Sequence, residues 1–185
     1  MRIIGGEHRS RRLATVRGEI RPTTDRAREC LFNVLGTSVV GSVWLDAFCG
    51  TGAVGIEALS RGAKFINFND RSFAAVQLLK KNLKLCGIEE GWEAQQKDVF
   101  TLLRNLKSSP LDFVFLDPPY IFKRHQKLLD RVRRLTCLKA ETQVILETFK
   151  KTPIPSLPES LTLSRVVKVG DNQLLFLRPR LKVNS

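Results

Sequence analysis

The stretch that decides the fold is residues 43–55, VWLDAFCGTGAVG. Its first three residues are apolar and predict a short buried strand that ends at Asp46. The spacing of Gly50, Gly52 and Gly55 then predicts a tight turn that leads into a helix. On either side of this stretch, apolar runs alternate with segments of helical periodicity. The alternation predicts an α/β fold with a largely parallel sheet and helices on both of its faces.

The boundaries of the elements follow from periodicity, capping residues and turn residues. We predict helices at about 26–36, 53–61, 72–86, 100–106 and 125–135, and strands at about 43–45, 65–68, 92–95, 112–116, 143–147, 163–169 and 173–177. The last two strands flank a Gly-Asp-Asn turn at 170–172, which predicts a terminal antiparallel hairpin. We divide the chain into a basic N-terminal extension with a helix, 1–41, and an α/β domain, 42–185.

Charge is the most informative bulk property. The 185 residues carry a formal net charge of +13, and 43% of them are hydrophobic, so the chain fits one folded domain with an affinity for polyanions. Residues 1–28 hold eight arginines, no lysine and three acidic residues. Guanidinium groups bind phosphate bidentately and stack on bases, which favours RNA over a merely basic surface. The candidate contacts are Arg2, Arg9, Arg11, Arg12, Arg17, Arg21 and Arg26.

Cysteine usage and apolar run lengths limit the other possibilities. The four cysteines stand singly, without a partner at metal-ligand spacing, so we expect neither a zinc site nor disulfides. The first residues lack the apolar stretch of a signal peptide, and no apolar run is long enough to cross a bilayer. We therefore expect a cytoplasmic protein that needs no metal and no membrane.

The loop after the first strand has two possible ligands. Its glycines match the GxGxxG pattern of dinucleotide-binding proteins, and Asp70 lies twenty residues beyond Gly50. A dinucleotide site must hold a pyrophosphate, however, and Asp46 at the strand end would repel it. A carboxylate there suits the ammonium group of S-adenosylmethionine, and the glycines allow a close approach of the backbone. The candidate cofactor contacts in this loop are Asp46, Phe48, Gly50, Thr51 and Gly52.

Acidic residues also follow the next two predicted strands. Asp70 could accept hydrogen bonds from ribose hydroxyls, and Asp98 could accept one from an adenine amino group with Val99 beside the ring. Each carboxylate could instead cap a helix. Because successive parallel strands end at one edge of a sheet, we predict that all three carboxylates lie along one pocket.

The most specific motif is Asp117-Pro118-Pro119-Tyr120, directly after the strongest strand. Two prolines could simply end a strand, but the four residues also fit one chemical task. An exocyclic amine on a nucleobase is a poor nucleophile because its lone pair is delocalised into the ring. The Asp117 carboxylate and the Pro118 carbonyl could accept its two N–H groups and orient the lone pair, while Tyr120 stacks on a base turned out of its helix.

These motifs resemble a known family. Residues 46–52 and 117–120 look like motifs I and IV of the class I methyltransferases that modify amino nitrogens. Residues 2–6, 9–13 and 21–33 are similar to the RsmD-type guanine-N2 methyltransferases of bacterial 16S ribosomal RNA. The resemblance implies a seven-stranded Rossmann-like sheet, S-adenosylmethionine, and a guanine of 16S rRNA in an assembled small subunit as target. It adds Thr23 to the candidate RNA contacts. We expect a monomer.

Two positions depart from the family pattern, and at one of them Cys49 stands where the family more often has alanine. The family usually has an acid for the ribose at the position of Phe68, and here only Asp70, two residues later, is available.

Other functions stay open at this level. A DNA or RNA adenine-N6 methyltransferase shares the Asp-Pro-Pro-Tyr motif, although DNA enzymes generally need more sequence to read their target. A protein-glutamine methyltransferase would more naturally carry Asn at position 117. An RNA-binding module without catalysis does not explain the intact motif, and a dinucleotide oxidoreductase explains neither the motif nor the charge.

Overall fold

The computed structural model describes residues 1–15 and 24–180. Its helices are α1 (Asp25–Leu35), α2 (Ala53–Ser60), α3 (Phe73–Leu85), α4 (Val99–Asn105) and α5 (His125–Val132), with a 3-10 turn at Gly36–Val39. Its strands are β1 (Val43–Asp46), β2 (Phe65–Asp70), β3 (Trp92–Gln96), β4 (Leu111–Leu116), β5 (Leu138–Phe149), β6 (Leu161–Val169) and β7 (Asn172–Pro179).

The seven strands form one sheet in the order β3-β2-β1-β4-β5-β7-β6. Strands β1 to β5 pair in parallel, whereas β7 pairs antiparallel with both β5 and β6. The predicted α/β fold with a mostly parallel sheet and a closing hairpin is confirmed. The strand order reverses at β1, because β2 and β3 lie on one side of it and β4 lies on the other. In sheets of this kind, ligands bind at the carboxyl ends of the two strands where the order reverses, here β1 and β4.

Two clusters of buried side chains fill the faces of the sheet. One joins residues of α1, α2 and α3 to the sheet, and the other joins residues of α4 and α5 to it. The alternation of a strand divides its side chains between the clusters, with Trp44 in the first and Leu45 in the second. This two-sided burial explains why consecutive residues of β1 and β4, Val43–Leu45 and Phe113–Leu116, are apolar rather than alternating with polar ones.

Helix starts agree with the capping residues in the sequence. The Thr24 hydroxyl accepts a hydrogen bond from the backbone N–H of Ala27, and the Ser72 hydroxyl accepts one from Ala75. Strand lengths agree less well. The strand predicted at 143–147 extends over Leu138–Phe149, because Leu138 pairs with Leu111 of β4 and Phe149 pairs with Asn172 of β7. The two ends of β5 are therefore determined by pairing with strands distant in the chain rather than by the local pattern of residues.

Residues 1–15, here called the arm, fold back on themselves and pack against α2 and α3. Arg2 and Arg12 form an isolated antiparallel bridge, and the side chains of Ile3 and Leu13 are buried. The buried Glu57 carboxylate of α2 accepts hydrogen bonds from the backbone N–H groups of residues 4 and 5, each at 2.8 Å. The described part of the extension thus shares the hydrophobic core of the sheet.

Among the described residues, none of the helices is long and apolar enough to span a membrane.

Candidate active site

The glycine loop and the Asp-Pro-Pro-Tyr segment leave the sheet side by side. Strands β1 and β4 are parallel neighbours, and Asp46 stands opposite Phe115. One residue further on, the backbone N–H of Ala47 donates to the carbonyl of Phe115 at 3.1 Å. Residues 47–52 and 117–120 therefore begin at adjacent points on the same edge of the sheet. A cofactor that binds at residues 47–52 would therefore lie next to a second ligand that binds at residues 117–120.

Backbone conformation explains the glycines of the loop. Gly50 and Gly52 have φ angles of 51° and 81°, in the left-handed region. A Cβ atom on Gly52 would lie 2.2 Å from a methyl carbon of Leu79 in α3. The Gly50 N–H donates to the Asp70 carboxylate at 3.0 Å, so β2 braces the loop from the side. The result is a tight turn into α2 with little room for side chains.

Asp46 is the most unusual ionisable group of the site. It is buried, and neither of its carboxylate oxygens has a hydrogen-bond partner among the described residues. Burial raises the pKa of Asp46 from its ordinary 3.8 to about 7, and the negative charge of Asp70 contributes to the rise. The backbone N–H groups of Gly55 and Phe48 lie near enough to lower the pKa in part. A buried carboxylate without a partner is a ready site for a cationic group.

Both of the other carboxylates accept hydrogen bonds from backbone N–H groups. Asp98 is the N-cap of α4 and accepts hydrogen bonds from the backbone N–H groups of Phe100 at 2.9 Å and Thr101 at 3.4 Å. The second oxygen of Asp70 accepts from the Ser72 N–H at 2.9 Å. Val99, the residue beside Asp98, is buried. The capping alternative is thus realised for Asp98 but not for Asp70, because the N-cap of α3 is Ser72.

The aromatic ring at position 68 belongs to the core. Phe68 is 1% exposed and lies against the backbone of Gly55, where an added Cβ would be 2.1 Å from the ring. Positions 68 and 70 are the two considered for the ribose contact. Because the Phe68 ring is buried in the core, only Asp70 lies at the edge of the sheet.

Residues of β5 and β7 hold the Asp-Pro-Pro-Tyr segment. Asp117 is half-buried, Pro118 is buried, and Pro119 and Tyr120 are exposed. The Tyr120 hydroxyl donates to the Asn172 side chain at 3.2 Å. The ring of Tyr120 meets Phe149 edge to face, with 6.0 Å between centroids.

The cleft beside this segment includes residues that sequence reasoning missed. Its lining adds Glu147, Thr148, Phe149, Thr152, Asn172 and His125 to residues 117–120. Asn172 donates to the Glu147 carboxylate at 2.5 Å. The sequence does place a polar residue, Asn172, in the predicted hairpin turn. Only the pairing of β7 with β5 shows that this turn lies beside Tyr120.

The described candidate arginines of the extension lie on two elements, the arm and α1. Arg2, Arg9, Arg11, Arg12 and Arg26 are exposed. The turn of the arm is anchored at the ends of α2 and α3, where the N–H of His8 donates to the Ser60 hydroxyl at 2.9 Å and Arg11 donates to the carbonyl of Cys86. These helix ends lie at the edge of the sheet away from the glycine loop. The remaining candidates, Arg17, Arg21 and Thr23, lie outside the described residues.

Arg28, the one arginine of residues 1–28 that is not among the candidate RNA contacts, belongs to the core. Its side chain is fully buried and pairs with Asp25 at 2.7 Å and with Glu57 at 3.6 Å. It also donates to the carbonyls of Arg2 at 2.7 Å and Ala53 at 3.5 Å. Arg28 therefore holds the arm, α1 and α2 together and has no surface for RNA.

Side chains with metal-ligating atoms are scattered. Among residues 1–15 and 24–180, no three His, Cys, Asp or Glu side chains are grouped so that they could hold a metal ion. All four cysteines are free thiols, and burial raises the pKa of Cys49, Cys86 and Cys137.

The strand order, the glycine loop after β1 and the closing hairpin together define the class I methyltransferase fold. The chain belongs to the family described as Conserved hypothetical protein 95, whose model matches residues 1–178.

Several proteins are similar to the chain over most of its length. Ribosomal RNA small subunit methyltransferase D of Haemophilus influenzae is 35% identical over 173 residues, which cover 92% of this chain and 89% of that one. The protein of the same name from Escherichia coli K12 is 33% identical over 171 residues, covering 92% and 85%. A solved Escherichia coli structure, provisionally assigned as the methyltransferase yhhF, superposes with a TM-score of 0.87 at 31% identity and covers 98% of this chain and 99% of that one.

Proposed function

We propose that this protein is an S-adenosylmethionine-dependent methyltransferase that modifies the exocyclic N2 of a guanine in small-subunit (16S) ribosomal RNA, within the assembled 30S particle. The observation that carries the proposal is the adjacency of the glycine loop and the Asp-Pro-Pro-Tyr segment at the carboxyl ends of β1 and β4. Membership of the family and the names of the relatives support the class of reaction.

The residues that follow β1, β2 and β3 would bind the cofactor. S-adenosylmethionine supplies a methyl group on a sulfonium centre, so the transfer needs no metal. The unpartnered Asp46 carboxylate would bind the ammonium group of its methionine portion. Gly50 and Gly52, with Phe48 and Thr51 beside them, would let the backbone approach closely. Asp70 would accept from the ribose, and Asp98 with Val99 would contact the adenine.

The cleft beside β4 fits the acceptor amine. Asp117 would accept one N–H of the amine through its carboxylate, and Pro118 would accept the other through its backbone carbonyl. The proline rings fix the backbone dihedral angles, so these acceptors do not have to reorganise during transfer. Tyr120 would stack on the guanine, and its contacts with Asn172 and Phe149 already orient the ring. Asp117 would also take the amine proton, during or after transfer.

The basic surface would position the RNA. The net charge of +13 favours binding to the phosphate backbone. Arg2, Arg12 and Arg26 lie on elements that reach towards the glycine loop, whereas Arg9 and Arg11 would contact RNA further from the target. We include Arg17, Arg21 and Thr23 in the same surface and treat residues 1–41 as the RNA-contacting extension of the 42–185 domain.

We further propose that the protein acts as a monomer in the cytoplasm.

Transfer of a radiolabelled methyl group tests the proposal directly. Unmethylated small subunits, free 16S rRNA and DNA would be offered separately, and the modified nucleoside would then be identified. We expect N2-methylguanosine from small subunits. N6-methyladenosine would replace our proposal with adenine methylation. No transfer to any nucleic acid by protein that binds S-adenosylhomocysteine would refute the assignment of the substrate.

A further inference from the structure

The turn after the Asp-Pro-Pro-Tyr segment presents one apolar side chain to solvent. Ile121 is 80% exposed, the largest exposed fraction of any large hydrophobic side chain in the part of the chain that the structure describes. Single hydrophobic residues on a surface are common and need no explanation by themselves. Ile121, however, lies directly beside the cleft in which the target base is expected to bind.

The neighbours of Ile121 are anchored, so that its own side chain is held outward. The backbone N–H of Phe122 donates to the carbonyl of Pro119 at 2.7 Å and closes a turn. The ring of Phe122 packs against Phe48 at 5.8 Å and Phe100 at 6.3 Å between centroids. On the other side, Tyr120 is held by its contacts with β5 and β7. A hydrogen-bonded turn with an aromatic ring anchored on each side therefore projects one branched apolar group.

Basic side chains surround this apolar tip. Lys123, Arg124 and Lys127 follow it and are all exposed. The Arg124 guanidinium lies over the ring of Phe100 at 4.6 Å, and the Lys127 ammonium lies over the same ring at 5.3 Å. An exposed apolar side chain with positively charged side chains around it complements a partner that has an apolar interior and an anionic exterior. The base stack and phosphate backbone of RNA have this arrangement.

We propose that Ile121 inserts into the base stack of the RNA next to the target nucleotide and occupies the space that the target base leaves when it turns into the cleft. Apolar wedges of this kind stabilise unstacked nucleic acid, because they replace part of the missing stacking. This inference rests on the proposed function, since it takes the target to be a stacked base of RNA. It assigns to Ile121 a positioning role rather than a chemical one.

The test compares variants in single-turnover methyl transfer, on whichever RNA the wild-type protein modifies and with RNA and cofactor both saturating. The Ile121→Ala variant should transfer at a rate about ten-fold or more below wild type, because the cost of unstacking is no longer offset. Ile121→Met keeps an apolar wedge and should stay near the wild-type rate. Val40→Ala is the matched control: Val40 is 68% exposed but precedes β1 at the opposite edge of the sheet.

Further measurements separate a wedge from other roles. The thermal midpoint and the affinity for S-adenosylhomocysteine should be the same in all variants, which excludes a folding defect. An Ile121→Ala variant with the wild-type saturated rate would overturn the wedge, and so would one that loses only RNA affinity. A loss confined to assembled subunits, when wild type also modifies free rRNA, would point to a ribosomal protein contact and also overturn it. If wild type modifies no RNA, the proposed function fails first, and the wedge fails with it.

Discussion

The Asn82 side chain of α3 donates a hydrogen bond to the carbonyl of Thr51 in the glycine loop at 2.8 Å. The same amide group pairs with Ala14 of the arm, accepting from its N–H at 2.8 Å and donating to its carbonyl at 3.1 Å. Asn82 is fully buried, and its bond to Thr51 is shielded from water. One side chain therefore ties the arm to the loop of the proposed cofactor pocket.

We expect Asn82→Ala to weaken both folding and cofactor binding. Three backbone groups would lose their partner, the buried carbonyl of Thr51 and the partly buried N–H and carbonyl of Ala14, and a fully buried unsatisfied group costs about 1–3 kcal/mol. Urea unfolding and calorimetric titration with S-adenosylhomocysteine measure the two effects. The control is Asn67→Ala, because Asn67 is also buried but donates to Trp44 and Ser108, away from the loop. That variant should lose stability and keep its affinity. Equal affinities in the two variants would contradict a role of Asn82 in shaping the pocket.

The affinity for S-adenosylhomocysteine should fall as the pH is lowered through about 7. The raised pKa of Asp46 means that the carboxylate is protonated below this value and no longer attracts the ammonium group of the ligand. Titrations between about pH 6 and about pH 8.5 would show the dependence. Asp46→Asn should bind more weakly at high pH and show little change across the range. A wild-type affinity that is flat with pH would be incompatible with direct contact between Asp46 and the ammonium group.

The same carboxyl group should also affect the stability of the ligand-free protein. Its pKa is higher in the folded state than in the unfolded chain, so the folded state binds the proton more tightly. The contribution of Asp46 to the free energy of unfolding should therefore fall as the pH rises from about 4 to about 7 and stay constant above. Asp46→Asn should be more stable than wild type at about pH 8, by on the order of a few kcal/mol. A less stable variant at that pH would mean that the carboxylate has a partner in the free protein.

Replacement of Asp117 should separate catalysis from cofactor binding. We expect Asp117→Ala to lower the rate of methyl transfer by about 100-fold or more, because only one of two preorganised acceptors for the amine remains. Its affinity for S-adenosylhomocysteine should not change, since the proposed cofactor contacts follow β1, β2 and β3. Single-turnover assays and titrations on the same preparation give both values. Full activity of this variant would rule out the assigned role.

Charge reversal on the arm should reduce RNA affinity and its dependence on salt. Replacing Arg9, Arg11 and Arg12 by Glu removes up to three cations from the phosphate backbone, and the slope of log affinity against log salt should fall by about 1 for each phosphate that is no longer neutralised. Filter binding to 16S rRNA at several salt concentrations measures the slope. A matched reversal of Arg104, Lys107 and Arg134, which are exposed or half-buried elsewhere on the protein, is the control. If both triple variants lose affinity equally, net charge rather than the arm determines binding.

Local chemistry made some parts of the site predictable. Asp98 caps the helix that begins with the next residue, so its hydrogen bond to Phe100 follows from short-range pattern. The order of strands and helices was likewise readable, because periodicity and capping act within a few residues. Arg28 was not predictable: its position on α1 resembles a surface arginine, and only its contact with Glu57 of α2 shows that it is buried.

The sequence by itself determined the α/β class, the glycine turn and the Asp-Pro-Pro-Tyr segment, because each depends on backbone preferences and side-chain types of adjacent residues. Only the tertiary structure decided that Asp70 braces Gly50, that Asn82 joins the arm to the loop, and that Ile121 faces outward. These relations depend on strand register and helix packing, which bring together residues far apart in the chain. Burial also determines how much each polar contact contributes to the stability of the fold, since a polar group removed from water must find its hydrogen-bond partner inside the protein.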